Sequence, residues 1–333
     1  MTRRFGLRAL AAMTALTALT VLAAGAPGAK ASAPATDPKA TAANLAGVTV
    51  VAKKPPPVIS NASEFVRQRM PESPSTGQYA RFREPICVAV QGMPDSFNSF
   101  IRERIIKLAR EVNAPVSTFW ACTPNVQVIF TDQPQRLLTN IGRKREEVLG
   151  FHYQAQFKKL TTFDRPIQSW YVTRTRDPRG RNYLDFAHAG LQGDIAPRTA
   201  MFGGGSVLGG DSLHGTAGSR LGAELSSDIA FALIIGDRNK VSNAKIGPVA
   251  DYIAFLALAR WQGLERCNSV ILTILNLMAD ACQEDPPETV TAYDLNLLKA
   301  LYLVNPRESG SQQRMEIADR IVKAAAEAET AAR

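Results

Sequence analysis

Two apolar segments that follow one another in the second half of the chain constrain its fold most strongly. Residues 229–235 form an unbroken apolar run, which is typical of a strand at the centre of a sheet, buried on both faces. Residues 248–260 are apolar at almost every position, with Pro248 in the first turn and Gly263 beyond the end, which predicts a core helix. Together they predict an α/β (α+β) domain in which long helices pack on a mixed sheet.

Shorter patterns predict the remaining elements. Apolar β-branched runs indicate strands, and apolar residues that recur every three to four positions indicate amphipathic helices. Thr291 and Asp294 have the spacing of a capping box, which opens a helix. The last helix is rich in Ala and Glu and is predicted to be an exposed tail. The strands are predicted at 86–90, 126–131 and 169–173, and the helices at 95–112, 134–141, 291–304 and 311–331.

The N-terminus has the pattern of a secretory signal peptide. Three arginines precede the apolar run 9–24, and a small-residue A-x-A sequence ends at Ala31. A membrane anchor is the alternative, but the run is short and rich in Ala and Thr, whereas a spanning helix needs about 20 strongly apolar residues. We expect residues 1–31 to be removed and the mature protein to be periplasmic or secreted.

Composition after residue 31 divides the remaining chain and limits its partners. Residues 32–60 are rich in Ala, Thr and Pro, which predicts a flexible leader. We expect residues 61–306 to form the folded domain and residues 307–333 to form the helical tail. Removal of the signal takes four of the 39 Lys and Arg and none of the 30 Asp and Glu, so the formal charge falls from +9 to +5. This modest charge argues against a nucleic-acid partner and leaves an envelope component or another protein.

Four cysteines in an exported chain predict two disulfides. Three pairings are possible, and we favour Cys87 with Cys122 and Cys267 with Cys282 because each pair lies within its own segment. A zinc site built from the four thiolates is the alternative. The chain contains no C-x-x-C pair, which disfavours that site.

The string Gly210-Asp211-Ser212-Leu213 spells the signature of GDSL esterases, in which the serine is the nucleophile. Such a serine needs a histidine base, which those esterases supply from a D-x-x-H near the C-terminus. Here His214 is the last histidine of the chain, so we interpret the string as part of a Gly-rich loop. The alternative function is a hydrolase in which Ser212 uses His152 or His188 through space.

A cluster of four arginines surrounds a predicted hairpin turn at residues 177–180. Such a cluster is ordinarily a solvated face, but outside the cytoplasm it could also bind an anionic surface such as lipid headgroups. The three histidines of the chain are scattered without an H-x-x-x-H pair, and no metal or cofactor site is predicted from them. The four arginines are Arg174, Arg176, Arg179 and Arg181.

The chain from residue 250 onward resembles zincin-like metallopeptidases of the metzincin kind and their degenerate bacterial relatives. In the peptidases an H-E-x-x-H-x-x-G-x-x-H helix is followed by a short turn and then by a helix that opens L-T-x-x-D and ends in L-Y. Here residues 250–260 correspond to the first helix, 273–276 to the turn, and 290–294 with 301–302 to the second helix. The match covers about 55 residues, and the resemblance implies a zincin-like sheet.

The departures from this pattern decide the expected chemistry. Ala250 and Ala254 stand at the two histidine positions of the helix, Arg260 at the third ligand position and Asp251 at that of the general base. Without imidazole ligands no zinc-bound water can form. The resemblance therefore implies a peptidase-like fold with a binding role, a groove beside the two alanines, and Asp251 and Arg260 as binding residues. The alternative is a core helix without such ancestry, which also predicts no zinc.

Overall fold

A five-stranded mixed sheet organises the part of the chain that the computed structural model describes, which comprises residues 59–119, 121–185, 225–280, 282 and 285–331. Helices pack on the sheet, so the α+β class predicted from the sequence is confirmed. The strands are β1 (Val88–Gln91), β2 (Val126–Thr131), β3 (Ile167–Arg176), β4 (Asn182–Asp185) and β5 (Ser226–Asp237).

The strands follow the spatial order β1-β2-β5-β3-β4. β1, β2 and β5 are parallel, β3 runs antiparallel to β5, and β4 returns antiparallel to β3 through the turn predicted at residues 177–180. The predicted central strand is confirmed, because β5 has a neighbour on each side and is buried at every position before Asp237. A strand in this position needs apolar side chains on both faces, which the run 229–235 supplies.

Eight α-helices occur in the described residues, and most coincide with the predicted ones. The helix predicted at 95–112 is α2, and the core helix predicted at 248–260 begins and ends two residues earlier as α6. The helices are α1 (Ile59–Arg69), α2 (Asp95–Glu111), α3 (Pro134–Lys144), α4 (Phe157–Leu160), α5 (Arg238–Val241), α6 (Ile246–Leu258), α7 (Ala292–Leu303) and α8 (Gly310–Ala331).

Alternate side chains of β5 enter two hydrophobic cores. Ala232 and Ile234 belong to the larger core, which includes buried side chains of α1, α2, α6, α7 and α8. Leu233 and Ile235 belong to a smaller core with side chains of α3 and of the 3₁₀ helix Glu146–Leu149. Since successive strand residues point to opposite faces, one apolar strand can anchor both layers.

The predicted capping box at the start of α7 is confirmed. Thr291 Oγ1 accepts a hydrogen bond from the Asp294 N–H, and Asp294 Oδ2 accepts one from the Thr291 N–H, both at 3.1 Å. Asp294 Oδ1 also accepts from Thr273 Oγ1 at 2.6 Å, beside the 3₁₀ helix Ile274–Met278. One buried carboxylate therefore fixes both the start of α7 and the turn before it.

The two ends of the described chain differ from their predictions. α8 is helical as predicted but is not an exposed tail, because Ile317, Ala318 and Ile321 are buried and the helix packs on α1 and α7. α1 was not predicted, and it begins at Ile59, within the segment 32–60 that we expected to be a flexible leader. Each helix buries only one stripe of side chains, and α8 lies against both α1 and α7.

Both favoured disulfides are present: Cys87 is bonded to Cys122 and Cys267 to Cys282. The four thiols are therefore not available as metal ligands, and the Cys₄ zinc alternative is wrong. Among the helices of the described residues, none has the length and apolar character needed to cross a membrane.

Candidate functional site

Asp251, one of the two predicted binding residues, forms an ion pair inside the protein. The Arg104 guanidinium on α2 donates to both carboxylate oxygens, with Nη2 to Oδ2 at 2.7 Å, and this hydrogen bonding raises the pKa of Arg104. The Val290 N–H donates to Oδ2 at 3.3 Å. Only 1% of Asp251 is exposed. The carboxylate thus joins α2, α6 and the segment before α7, which is a structural role.

The two alanines at the peptidase histidine positions lie in the larger core. Ala250 is 0% exposed and Ala254 is 1% exposed. Their methyl groups contact other apolar side chains, so in the described residues they line no open groove. A binding surface has to be sought elsewhere on α6.

Arg260, the second predicted binding residue, lies just beyond the C-terminal end of α6 and is partly exposed. Its Nη1 donates to the Glu72 carbonyl oxygen at 3.4 Å, and no carboxylate oxygen of the described residues lies within 4.0 Å of its guanidinium. Burial lowers the pKa of Arg260, which the negative charge of Asp185 opposes. Arg260 is therefore a poorly solvated cation that makes a single long side-chain hydrogen bond to the described residues.

Asp185 is the last residue of β4 and is nearly buried. Its Oδ1 accepts a hydrogen bond from Thr175 Oγ1 at 2.8 Å and its Oδ2 accepts one from Thr173 Oγ1 at 3.1 Å. Burial raises the pKa of the Asp185 carboxyl, while hydroxyl donors and the positive charge of Arg260 lower it in part. The two threonines of β3 hold this carboxyl group in place at the edge of the sheet.

His152 follows a tight turn that rests on β3. Gly150 forms the turn with φ +60°, and a Cβ at that position would lie 1.8 Å from the Tyr171 carbonyl oxygen, so only glycine fits. The His152 backbone N–H donates to Gln156 Oε1 at 2.9 Å, whereas the ring Nε2 is buried and has no hydrogen-bond partner among the described residues. Burial, with a smaller contribution from Arg260, lowers the pKa of His152 to about 4, so its imidazole is neutral at pH 7.

These side chains form one electrostatically connected group, which we call the Arg260 cluster: Arg260, Asp185 and His152. Arg260 acts on the titration of both other members. Tyr171 on β3 fixes the sheet against the end of α6, because its Oη donates to the Leu256 carbonyl oxygen at 2.8 Å. The cluster therefore combines one cation, one carboxyl group and one neutral imidazole at the junction of β3, β4 and α6.

Two arginines of the predicted basic cluster are engaged in internal ion pairs. Arg176 Nη2 lies 2.8 Å from Glu84 Oε1, and Arg176 Nε lies 2.9 Å from Asp228 Oδ2. Arg174 is 3% exposed, and its Nη2 lies 3.1 Å from the same Glu84 oxygen. Asp228 is completely buried, so these guanidiniums compensate a charge inside the fold.

The other two arginines of the basic cluster lie at the hairpin turn. Arg181 Nε donates to Asp177 Oδ2 at 2.8 Å, and Arg181 has a further interaction. Arg179 is exposed. Among the described residues, Arg179 is the one of the four arginines that is exposed and forms no ion pair. Binding of an anionic surface by this cluster stays a prediction.

Several sequence predictions lie outside the described residues. The signal peptide 1–31 and the leader up to residue 58 are among them, as are Ser212, His188 and His214. The Ser212 hydrolase hypothesis is therefore untested by the geometry. His152, the other histidine named in that hypothesis, is the one that the structure describes.

The described residues contain no group of three or more His, Cys, Asp or Glu side chains arranged to hold a metal ion. The three members of the Arg260 cluster include a guanidinium, which cannot be deprotonated to act as a ligand. The arrangement at the end of α6 is therefore suited to hydrogen bonding and charge recognition.

A concave region lies at the carboxyl ends of the parallel strands, where α/β proteins often bind ligands. It has a volume of about 400 Å³ and is lined by Gly92, Asp132, Arg136 and Arg238, among others. Arg238 Nε donates to Asp132 Oδ1 at 2.7 Å, and Arg136 Nη1 donates to Gln133 Oε1 at 3.1 Å. Because its cations already have partners and are exposed, this cleft is a weaker candidate than the Arg260 cluster.

The sequence identified Arg260 but not its neighbours. His152 and Asp185 are distant from Arg260 in the chain, and neither occurs in a motif. The antiparallel pairing of β3 with β4 brings Asp185 to Thr173 and Thr175, and no periodicity predicts that register. The one local feature that could have indicated the position of His152 is Gly150, because the turn at this glycine places the following residues next to β3.

Comparisons with protein-family models, with curated proteins and with solved structures find no match to this chain. Function is therefore inferred from the residues and contacts described above.

Proposed function

We propose that the protein is an exported, disulfide-bonded binding protein with a zincin-like arrangement, and that it binds its ligand at the Arg260 cluster without metal chemistry. The ligand belongs to an envelope component or to a protein partner. The observation that carries the proposal is the state of Arg260, a partly buried guanidinium that makes one hydrogen bond, of 3.4 Å, to the part of the chain that the structure describes. Arginine donates up to five hydrogen bonds, so such a residue has most of its capacity unused.

The order of elements supports the zincin-like part of the proposal. α6 comes after the central strand β5, which is the order of elements in the peptidases that the chain resembles from residue 250 onward, and it packs against α2. The 3₁₀ helix Ile274–Met278 and the capped helix α7 come next. Because local sequence patterns also explain each of these elements without a relationship to the peptidases, we include the zincin-like arrangement as part of the proposal.

Export is supported by the two disulfides, because such bonds persist in oxidising compartments. The basic and apolar segments of residues 1–31 favour the same location. The absence of catalysis is supported by the residue types at the peptidase positions. Ala250 and Ala254 cannot ligate zinc, and the Asp251 carboxylate is occupied by Arg104 instead of facing a water molecule.

Binding by the Arg260 cluster can be tested with defined envelope materials and matched variants. Mature protein is incubated with purified peptidoglycan sacculi, with vesicles of phosphatidylglycerol and with an immobilised random peptide pool, and the bound fraction is measured. We expect one of the three to retain wild-type protein and Arg260→Gln to lose about tenfold or more in affinity. Arg102→Gln, which removes an exposed arginine on α2, is expected to bind like the wild type.

Loss of binding in Arg102→Gln as well as Arg260→Gln would indicate a general charge effect and contradict the proposal. Retention by vesicles that depends on Arg179 and not on Arg260 would favour the anionic-surface role instead. The Ser212 hydrolase is the enzymatic alternative. It requires labelling of the protein by a fluorophosphonate probe that is lost in Ser212→Ala, and such labelling would replace a binding role by catalysis.

A further inference from the structure

We infer that the ligand group recognised by the Arg260 cluster is a single carboxylate, held by the Arg260 guanidinium. This inference rests on the proposed function and adds the chemical class of the ligand. It follows from three properties of the cluster: the Arg260 donors that have no partner among the described residues, the charge of Asp185 near them, and the neutral imidazole of His152.

The hydrogen-bonding state of Arg260 defines the kind of group that it lacks. The guanidinium is a planar fork of N–H donors, and its single bond goes to the Glu72 carbonyl oxygen. A carboxylate is a planar pair of acceptors at the matching spacing, which gives two parallel charge-assisted hydrogen bonds. In the part of the chain that the structure describes, no side-chain carboxylate lies within 4.0 Å of Arg260. A ligand carboxylate would fill that position.

Asp185 limits the charge that the ligand group can carry. The Asp185 carboxyl group is fixed by Thr173 and Thr175 and lies close enough to Arg260 for each to affect the titration of the other. With Asp185 ionised, the pair carries no net charge. A monoanion adds one negative charge to this environment, whereas a phosphate dianion adds two beside a fixed carboxylate. Like charges at short range are unfavourable, so the cluster discriminates against the dianion.

His152 contributes an uncharged polar imidazole to the site, and the titration of this ring provides a way to observe binding. Its Nε2 is buried and unpaired, which is unfavourable until a partner is supplied. Since the imidazole is uncharged at pH 7, it adds no second cation that would attract a dianion. A carboxylate bound to Arg260 would bring negative charge near this ring, and negative charge stabilises the protonated imidazole.

The test uses mature protein whose histidine side chains are isotopically labelled, and NMR follows their imidazole resonances during a pH titration. The chain has three histidines, and His152→Gln identifies the signal of interest. The probes are N-acetylglycine, its neutral analogue N-acetylglycinamide, D-glucuronate and inorganic phosphate, each at millimolar concentrations. Their affinities are compared at about pH 8, where inorganic phosphate is mainly a dianion and both carboxylates are ionised, before the pH is lowered to titrate His152. We expect N-acetylglycine or glucuronate to shift the His152 signal and raise its pKa, and the neutral amide to leave both unchanged. The carboxylate that binds more tightly identifies a peptide terminus or a sugar acid as the source.

The variants separate carboxylate recognition from general effects. Arg260→Gln is expected to weaken carboxylate binding about tenfold or more, and Arg102→Gln to leave it unchanged. A response to phosphate at lower concentration than to either carboxylate would overturn the inference while leaving a binding role at Arg260 intact. Equal carboxylate binding by Arg260→Gln and the wild type would overturn it as well. If no probe shifts the His152 signal and none of the three materials retains the protein, both the inference and the proposed function fail.

Discussion

At the scale of single residues, the two charged side chains near α6 have opposite roles because their surroundings differ. Asp251 is buried, so its charge is tolerable only with Arg104 and the Val290 N–H as partners. Arg260 is partly exposed and has one weak partner. A buried, fully paired charge stabilises one structure, whereas a poorly paired one at the surface has hydrogen bonds to offer a ligand.

The ion pair of α2 and α6 can be tested through stability. Arg104→Met leaves the Asp251 carboxylate, which is 1% exposed, without its cation, and we expect a loss of about 3 kcal/mol in the free energy of unfolding. Arg102→Met, on the exposed side of the same helix, should change stability by no more than about 0.5 kcal/mol. Urea unfolding of both variants makes the comparison, and equal losses would contradict a structural role for Asp251.

His152 predicts how stability depends on pH. Its pKa is lowered from 6.5 to about 4 in the folded protein, so the unfolded chain takes up a proton first as the pH falls. The folded state should lose on the order of 2 kcal/mol, allowing for the partial exposure of the ring, as pH falls from about 6.5 to about 4. His152→Gln should lack this component. Unfolding curves of variant and wild type at several pH values test it, and parallel pH profiles would show that His152 is not buried as described.

At the scale of elements, sequence patterns predicted correctly those helices and strands whose own residues indicate how they are buried. The continuous apolar run of β5 and the capping box of α7 both occur where predicted. α8 was judged by its exposed Ala- and Glu-rich face, although a stripe at Ile317 and Ile321 is buried against α1 and α7. α1 carries a similarly narrow stripe. The burial of such helices depends on partners distant in the chain, which local patterns do not contain.

The packing of α8 gives a prediction for the C-terminal segment. Ile317 is 0% exposed, so Ile317→Ala should create a cavity and reduce the free energy of unfolding by about 3 kcal/mol. Met315 is 63% exposed on the same helix, and Met315→Ala should cost no more than about 0.5 kcal/mol. Thermal and urea unfolding of the pair distinguish a packed helix from the exposed tail expected from the sequence. Similar stability of both variants would favour the tail.

At the scale of the whole molecule, two disulfides fix loops at different places. Cys87–Cys122 closes 35 residues that include α2, and Cys267–Cys282 closes 15 residues before α7. A disulfide restricts the unfolded chain, and the stabilisation is greater for the longer loop. We expect about 4 kcal/mol from Cys87–Cys122 and about 3 kcal/mol from Cys267–Cys282. Paired Cys→Ser variants, unfolded in urea, should show losses in that order. The reverse order would show that native contacts, and not loop entropy, dominate.

The candidate site was predictable only in part, for a reason that belongs to the whole molecule. The sequence singled out Arg260 because the peptidase resemblance places it at the third ligand position. The same reasoning treated Asp251 as equivalent, because the Arg104 that neutralises it lies on another helix. Likewise, the pairing of β3 with β4 and the turn at Gly150 place Asp185 and His152 where the charge of Arg260 affects their titration. Sites assembled across elements in this way require the fold.

The central claim is the proposal that this protein binds its ligand without a metal ion, and the zinc content of the protein tests it most directly. Mature protein is purified without a histidine tag, and its metal content is measured by plasma mass spectrometry. With alanine at both histidine positions of α6, we predict less than about 0.1 zinc per chain. About one zinc per chain would contradict the account and would place a metal site among other residues of the protein.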